Sequence, residues 1–285
     1  MKVVVSFTTS PCRIGKIKTM IDSILNQTRK PDYFVLNIPK IFPRTGDSYD
    51  IPEFIKDNDD IIVNVIDRDY GPATKVIPTI QFIKEKNLDL SNTRIIYVDD
   101  DIKQLPNMIS TFLKYSGNKN IILGSSGFIF KTSLQNNNEI GAVALKNHLQ
   151  YVSIIEGYGA VCLSPEVFRS DFMNYFNSLS NIKSCLLSDD IVLSNYYNKY
   201  NKCIIISTPD FSRKKMWSSG CILDYGNESD ALHVNNGNII KYVHCIRHLI
   251  SKGILYFKIE QRNVMGVGRG RGKGNMNLIL SGNWH

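Results

Sequence analysis

Cysteine and histidine are scarce, and neither falls into a metal-binding or redox motif. The six cysteines are scattered without a Cys-x-x-Cys pair, which argues against a zinc site and against a dense disulfide framework, so we expect a reducing compartment. Of the five histidines, His244 and His248 have the four-residue spacing of one helix face. No His-Glu-x-x-His pattern accompanies them, and we expect both to be surface residues.

Long apolar runs are absent as well. No run approaches the ~20 residues that a helix needs to cross a bilayer, and no basic stretch followed by an apolar segment opens the chain. We therefore expect no transmembrane segment and a cytoplasmic location, which becomes the host cytoplasm if the chain comes from a virus or an intracellular pathogen. Peripheral contact with a membrane stays open.

Positive charge is present in excess. The sequence has 34 Lys and Arg against 26 Asp and Glu, a formal net charge of +8, and its pI is near 9.1. This balance suits an anionic ligand such as a nucleotide diphosphate, a nucleic acid or an acidic membrane surface. The tract over 266–273 is rich in glycine and arginine, and we expect a basic, flexible tail there.

Strands and helices alternate over the first hundred residues. Apolar segments rich in β-branched residues predict strands over 2–8, 33–38, 61–66 and 94–98, with an amphipathic helix after the first of them. This alternation predicts an α/β fold, in which helices flank a mostly parallel central sheet.

The second half of the chain has a less regular pattern. Helices are predicted over 105–115, 165–177 and 239–250, whereas 209–237 mixes charge, glycine and aromatics and is expected to be a mobile loop over a site. We expect one domain over 1–237, made of halves over 1–103 and 104–237. A helical extension and the basic tail would occupy 238–285.

Three consecutive carboxylates, Asp99, Asp100 and Asp101, close the fourth predicted strand. Adjacent acids repel one another unless solvent or a cation relieves the repulsion, and ligands of α/β sheets gather beyond the carboxyl ends of the strands. Divalent cations that bridge phosphates are usually held by one or two carboxylates. The Asp-x-Asp pattern therefore predicts a metal–diphosphate clamp; the alternative is a solvated acidic turn that starts the next helix.

The segment after the third strand offers a second binding element. Tyr70 to Lys75 contains a Gly-Pro turn at the expected start of a helix, where backbone amides and the helix dipole favour an anion. Lys75 would reach a diphosphate from there, and Asp67 and Arg68 on the same loop could bind a base or the phosphates. The alternative is an ordinary turn with a solvated lysine.

In their order along the chain, these pieces resemble the nucleotide-sugar glycosyltransferases of the GT-A type, particularly the family 2-like branch. The resemblance extends over residues 3–233. It implies a Rossmann-like GT-A fold, a nucleotide-sugar donor (in the first place a UDP-sugar) and Mn²⁺ or Mg²⁺. The opening strand and its turn, with Thr8, Thr9 and Arg13, would line the nucleotide pocket.

The same resemblance implies the metal ligands. Asp101 would be the direct ligand, and Asp99 would support the ribose or the water on the metal, with Asp100 in the nucleotide-binding set. His233 resembles the late histidine that completes the metal shell in several such enzymes.

Two further segments resemble the second half of the family pattern. They are Glu156-Gly157-Tyr158-Gly159-Ala160 and Ser188-Asp189-Asp190. The resemblance implies that the glycine-rich strand bounds the sugar and that Asp190 is the base, which would take the proton of an acceptor hydroxyl. Because the family often has Glu where Asp189 stands, both carboxylates remain candidates. The alternative is that Ser188 caps the helix and the carboxylates complement its dipole.

Together these features predict a metal-dependent, inverting glycosyltransferase that moves a hexose or deoxyhexose to a hydroxyl of a glycan or glycoprotein. A nucleotidyltransferase is the nearest alternative, but it usually needs a Gly-rich basic signature after the first strand, and residues 8–13 contain no glycine. A non-catalytic module that binds nucleic acid or glycan would explain the positive charge but not the acid clusters. Nucleic acid is accordingly not the expected partner.

Overall fold

The structure is a computed structural model that describes residues 1–133, 139–143, 149–227, 237–262 and 277–279. The strands in these ranges are Lys2–Phe7 (β1), Tyr33–Pro39 (β2), Ile61–Ile66 (β3), Thr93–Tyr97 (β4), Ile121–Gly124 (β5), Gly127–Ser133 (β6), Glu139–Val143 (β7), Leu149–Tyr151 (β8), Ile154–Ile155 (β9), Val161–Leu163 (β10), Lys202–Ile206 (β11), Glu260–Arg262 (β12) and Asn277–Ile279 (β13).

The α-helices of the described ranges lie between these strands. They are Lys18–Leu25 (α1), Glu53–Lys56 (α2), Ile77–Glu85 (α3), Met108–Tyr115 (α4), Phe172–Ser180 (α5), Lys183–Leu186 (α6), Asp189–Tyr200 (α7), Arg213–Ser218 (α8) and Gly237–Ser251 (α9). Three 3-10 helices cover Gly71–Lys75, Pro165–Val167 and Asp224–Asn227. None of the described helices combines the length and the apolar character that a membrane span requires.

An eight-stranded sheet forms the centre of the fold, with the strand order β3-β2-β1-β4-β10-β5-β11-β8. The neighbouring strands from β3 to β4 are all parallel, and β11 is parallel to β5. Strand β10 runs antiparallel between β4 and β5, and β8 is antiparallel to β11. The predicted fold class, a mostly parallel sheet flanked by helices, is confirmed.

Both faces of the sheet are covered, which explains the continuous apolar runs of its central strands. Successive residues of β1 alternate between two hydrophobic cores: Val4 packs with Ile95 on one face, whereas Val3 and Val5 pack with Ile96 on the other. All five are fully buried, and each such side chain contributes ~1.5–3 kcal/mol through its burial. The parallel strands therefore end together, at one edge of a rigid sheet.

A second, smaller sheet was not predicted. It has the order β12-β6-β7-β13, with β9 paired to β6. Strand β9 also lies in the chain segment that leads back into β10 of the central sheet. The residues between these two strands consequently pass along the edge of the central sheet at which the site is found.

The helix predicted over 165–177 is wrong at its beginning. Pro165–Val167 forms a 3-10 helix, in which the Ser164 side chain accepts a hydrogen bond from the backbone of Glu166. Phe168, with ψ 83°, ends this turn, and the α-helix begins at Phe172. Pro165 therefore stands in the first turn of the 3-10 helix and not of α5.

The irregular loop predicted over 209–237 is also wrong for its described part. Helix α8 begins after Ser212, whose side chain accepts a hydrogen bond from the backbone of Lys215. Phe211 and Met216 are fully buried and attach this segment to the core. Residues 228–236 lie outside the described part of the chain.

Candidate active site

One cleft opens at the carboxyl ends of β1, β2, β3 and β4, and the starts of α7 and α9 contribute to its walls. Because parallel strands end at the same edge of the sheet, residues far apart in the sequence meet there. The predicted residues Thr8, Thr9, Arg13, Lys75 and Asp190 all line this cleft, as do the three carboxylates that follow β4.

Asp100 anchors these three carboxylates to the neighbouring strand. Its side chain accepts hydrogen bonds from Thr9 Oγ1 at 2.6 Å and from Arg13 Nη1 at 2.5 Å, and Tyr225 donates to its backbone carbonyl at 2.8 Å. The residue is 5% exposed. Burial raises the pKa of Asp100, and the Arg13 guanidinium and the Thr9 hydroxyl oppose this shift. These bonds fix the backbone that carries the carboxylates on either side.

Asp99 and Asp101 flank this anchor and line the cleft, with side chains 32% and 21% exposed. Arg13 Nη2 lies 3.5 Å from Asp101 Oδ2, which is a long contact for an ion pair. Burial raises the pKa of Asp101 to about 7, the carboxylates of Asp100 and Asp99 add to the shift, and Arg13 opposes it. A cation beside Asp101 would offset both the burial and the repulsion.

Lys75 connects this group of carboxylates to the start of α7. Its Nζ donates to Asp99 Oδ1 at 2.6 Å and forms an ion pair with Asp189 Oδ2 at 2.8 Å, and its side chain is 5% exposed. Burial disfavours the ammonium, but the carboxylates of Asp189, Asp99 and Asp190 outweigh it and raise the pKa of Lys75 well above its usual value. Lys75 is therefore a fixed cation in the wall of the cleft.

A glycine lets the chain approach this ion-paired lysine. A Cβ on Gly157 would collide with Lys75 Nζ and would lie 3.2 Å from Asp99 Oδ1. The backbone N–H of Gly157 in turn donates to Asp190 Oδ1 at 2.8 Å. The segment between β9 and β10 thus contacts both acidic groups of the cleft, and a residue without a side chain is required at this point.

Asp190 lines the cleft from the first turn of α7. Its Oδ1 is bound by Gly157, and its Oδ2 accepts a hydrogen bond from the Tyr242 hydroxyl at 3.1 Å. Burial raises the pKa of Asp190 to about 8, Asp189 adds to the shift, and Lys75 opposes it. Within the described residues no side chain forms an ion pair with Asp190, whereas Lys75 does so with Asp189.

Ser188 stands at the N-cap of α7 with Asp189 and Asp190 in the first turn, but the predicted capping bond of its side chain is wrong. Its side chain makes no capping hydrogen bond, and its buried hydroxyl has no partner in the described part of the chain. Asp189 is 8% exposed and is turned towards Lys75 rather than towards solvent. The start of this helix is therefore built into the cleft.

Two residues predicted to bind the nucleotide do not line the cleft. The Asp67 side chain is 86% exposed and pairs with Lys40 at 2.6 Å. Tyr70 packs against the ring of Phe176, with the ring centroids 5.9 Å apart. His233, the predicted third metal ligand, lies outside the described residues.

Sequence reasoning missed several residues of the cleft. Asp69 lines it and accepts a hydrogen bond from Thr74 Oγ1 at 2.9 Å, an arrangement that its place before a Gly-Pro turn could have suggested. Tyr49 donates to the Thr9 carbonyl across 40 residues of sequence, and Tyr242 donates to Asp190 across 52 residues. No local sequence pattern predicts that either tyrosine belongs to the site.

The charges of the cleft fit a divalent cation. Six carboxylates and four cationic side chains line it, which leaves an excess of two negative charges when all are ionised. Asp99 and Asp101 could hold the ion: Arg13 and Thr9 bind both carboxylate oxygens of Asp100, whereas Lys75 binds Oδ1 of Asp99 and Arg13 contacts Oδ2 of Asp101. In the described ranges no three His, Cys, Asp or Glu residues are grouped to hold a metal, so the described residues would supply two carboxylates. Two suffice for Mg²⁺ or Mn²⁺ when phosphates and water complete the shell.

Three solved structures illustrate the similarity of this chain to known proteins, all at low sequence identity. S. aureus TarS 1-349 is 10% identical, with a TM-score of 0.42, over 88% of this chain and 72% of that chain. GalNAc-T7 with UDP, GalNAc and Mn²⁺ is 11% identical, with a TM-score of 0.44, over 87% of this chain and 48% of that chain. The 2-C-methyl-D-erythritol 4-phosphate cytidylyltransferase of Francisella tularensis is 11% identical, with a TM-score of 0.40, over 77% of this chain and 97% of that chain. No family model and no curated protein matches the sequence.

Proposed function

We propose that this protein is a metal-dependent, inverting glycosyltransferase that moves a hexose or deoxyhexose from a UDP-sugar to a hydroxyl of a glycan or glycoprotein. The observation that carries the proposal is one cleft that holds Asp99 and Asp101 together with Asp190, with the Lys75 ammonium paired to carboxylates of both groups. Sugar transfer needs two such groups, one to stabilise the leaving diphosphate and one to take a proton from the acceptor.

The diphosphate of the donor would lie beyond the end of β4. Asp99 and Asp101 would hold Mn²⁺ or Mg²⁺ there, and the ion supplies positive charge to the departing nucleoside diphosphate without moving a proton. Arg13 and Thr9 act indirectly, because their bonds to Asp100 fix the backbone of both ligands. A ligand pair held in this way needs little rearrangement when the donor binds.

Asp190 would be the general base. The acceptor hydroxyl oxygen forms a bond to the anomeric carbon, the bond from that carbon to the phosphate oxygen breaks, and the hydroxyl proton passes to the Asp190 carboxylate. The leaving diphosphate takes the bonding electron pair, and this single displacement inverts the anomeric configuration. Gly157 and Tyr242 orient the carboxylate through its two oxygens, and its raised pKa makes it a stronger base than an ordinary aspartate.

The environment of the two neighbouring carboxylates favours Asp190 over Asp189 as the base. The Lys75 ammonium holds Asp189 in an ion pair and would oppose its protonation. A base in this position also favours glycosyl transfer over nucleotidyl transfer to a phosphate group, because an ionised phosphate nucleophile has no proton to lose.

The proposal is tested by nucleotide release from a panel of nucleotide sugars, supplied with glycan acceptors and with Mn²⁺, Mg²⁺ or EDTA. The variants Asp101→Asn and Asp190→Asn are compared with wild type, and Asp59→Asn, an exposed carboxylate outside the cleft, is the matched control. We expect one donor to turn over with metal, both cleft variants to lose turnover, and the control to keep it.

The product identifies the reaction. Release of a nucleoside diphosphate and a product with inverted anomeric configuration supports the proposal. Release of pyrophosphate from a nucleoside triphosphate would instead mark a nucleotidyltransferase. Turnover that persists in EDTA or in Asp101→Asn would remove the metal role that we give to the carboxylates after β4.

A further inference from the structure

Two cationic side chains of the cleft, Arg44 and Lys241, have no role in the mechanism above. Arg44 belongs to the loop after β2, where its guanidinium lies 4.5 Å from the ring centroid of Phe42. Lys241 lies in the second turn of α9. Both line the cleft that contains the carboxylates, although about 200 residues separate them in the sequence.

Lys241 lacks the carboxylate partner that the other lysine of the cleft has. In the described part of the chain no carboxylate forms an ion pair with its ammonium, whereas Lys75 has two such partners. Burial lowers the pKa of Lys241, and Asp189 and Asp190 oppose this shift without pairing with the lysine; the charges of Lys75 and Arg44 lower it further.

An arrangement of this kind costs stability in the absence of a ligand. A partly buried ammonium without a counter-ion loses solvation, and a neighbouring guanidinium adds repulsion. An oxyanion from a ligand would offset both the lost solvation and the repulsion, and it would form charge-assisted hydrogen bonds with the two side chains. The two carboxylates that act on Lys241 do not fill this role, because Asp189 is paired with Lys75 and Asp190 is bound by Gly157 and Tyr242.

The position of the two cations indicates which part of the donor they would meet. Arg44 lies beside Phe42 on the loop that follows β2, in the half of the cleft expected to hold the nucleotide. Lys241 is adjacent to Tyr242, whose hydroxyl bonds the proposed base. The pair therefore lines the cleft from the loop after β2 to the start of α9, where a donor would extend from its nucleotide to its sugar.

We infer that Arg44 and Lys241 form an anion subsite that binds an oxyanion of the donor, supplied either by its diphosphate or by a carboxylate on the transferred sugar. This inference rests on the proposed function and deepens it, because the second source would make the donor a nucleotide-linked acidic sugar. Both sources present anionic oxygens to the two cations, and binding measurements distinguish the two sources.

The test is calorimetric titration of pyrophosphate, UDP, UDP-glucose and UDP-glucuronic acid into the full chain with Mn²⁺. Lys241→Met keeps the length of the side chain and removes its charge, Lys241→Arg keeps the charge, and Lys252→Met, an exposed residue beyond α9, is the matched control. Loss of one charge-assisted contact is expected to weaken binding about tenfold or more.

If the diphosphate is the source, Lys241→Met weakens pyrophosphate and UDP to a similar degree, while Lys241→Arg and the control bind as wild type does. If a sugar carboxylate is the source, UDP is unaffected and the preference for UDP-glucuronic acid over UDP-glucose is lost. Equal affinities of wild type and Lys241→Met for all four ligands would overturn the subsite. Pyrophosphate tests the subsite without a nucleotide. If pyrophosphate binds but UDP does not, the result counts against the proposed function and not against the subsite.

Discussion

Asp190 can take a proton only when its carboxyl group is ionised, and its pKa of about 8 therefore sets a pH dependence. We expect the rate of transfer to rise with pH up to about 8 and then to level off. In Asp190→Asn we expect turnover to fall by ~10²–10⁴-fold and the affinity for UDP to stay unchanged. Rates measured over a pH series check this, and a variant that retains the same rising limb would contradict the role of Asp190.

Loss of the Lys75 side chain should lower the free energy of unfolding. Lys75→Met leaves the carboxylates of Asp99 and Asp189 without their common partner in a largely buried place. Breaking a buried ion pair from one side costs ~3–5 kcal/mol. Urea denaturation measures the free energy of unfolding, and Lys40→Met is the control because its ion pair with Asp67 is exposed to solvent. An unchanged midpoint in Lys75→Met would show that the pair is not formed in solution.

The residues after β4 could be placed at the cleft from the local sequence, whereas those on the loop after β3 could not. Asp99 to Asp101 begin one residue after β4, where Val98 still bonds Ser6 of β1 and Asp100 accepts bonds from Thr9 and Arg13, so the neighbouring strand holds them in the cleft. Asp67 also follows a strand, yet its side chain is exposed and pairs with Lys40, whereas Asp69, two residues later, lines the cleft. The direction of a side chain beyond the last strand residue depends on loop dihedral angles, which residue type alone does not determine.

The segment between β9 and β10 packs too closely against the cleft to accept a side chain at Gly157. In Gly157→Ala the new methyl group would displace Lys75 Nζ, which its ion pairs hold in place. We expect a loss of ~1–3 kcal/mol in unfolding free energy, as for other overpacked sites, together with a loss of turnover. Gly117→Ala is the control, because a Cβ at Gly117 meets nothing within 4 Å. Equal stability of the two variants would refute the close packing at Gly157.

Periodicity predicted most helices of the described ranges but not what they contribute to the site. Helix α9 was predicted over 239–250 and is observed over Gly237–Ser251, yet nothing in its pattern indicated that Tyr242 would bond Asp190. Helix α8 was missed, because six residues are too few for a periodic signal and its N-cap, Ser212, is visible only with the backbone geometry. Contacts between distant elements depend on tertiary packing and are absent from local sequence.

For the protein as a whole, alternating strands and helices were sufficient to predict the fold class, whereas the small second sheet was not anticipated. The division of the chain at residues 103 and 237 stays a prediction. So do the identities of the donor and acceptor, which depend on the shape of the cleft walls rather than on any motif.

The buried carboxyl groups of the cleft should also affect global stability. The folded protein holds protons on Asp101 up to about pH 7 and on Asp190 up to about pH 8, whereas the unfolded chain releases them near 3.8. Because the folded state binds more protons in this window, these two groups lower the free energy of unfolding as pH rises from about 4 to about 8. The stability of Asp190→Asn relative to wild type should therefore increase over the same range, by up to about 1.4 kcal/mol per pH unit. Denaturation at several pH values measures this difference, which a flat profile would contradict.

The proposal that Asp99 and Asp101 hold a divalent cation for a nucleoside diphosphate leads to one decisive titration. UDP is titrated into wild type and Asp101→Asn, with Mn²⁺ and with EDTA. We predict that wild type binds UDP with Mn²⁺, that EDTA abolishes binding, and that Asp101→Asn gains little from the metal. Binding of UDP that is equally tight in EDTA, or equally metal-dependent in Asp101→Asn, would contradict the function proposed for this cleft.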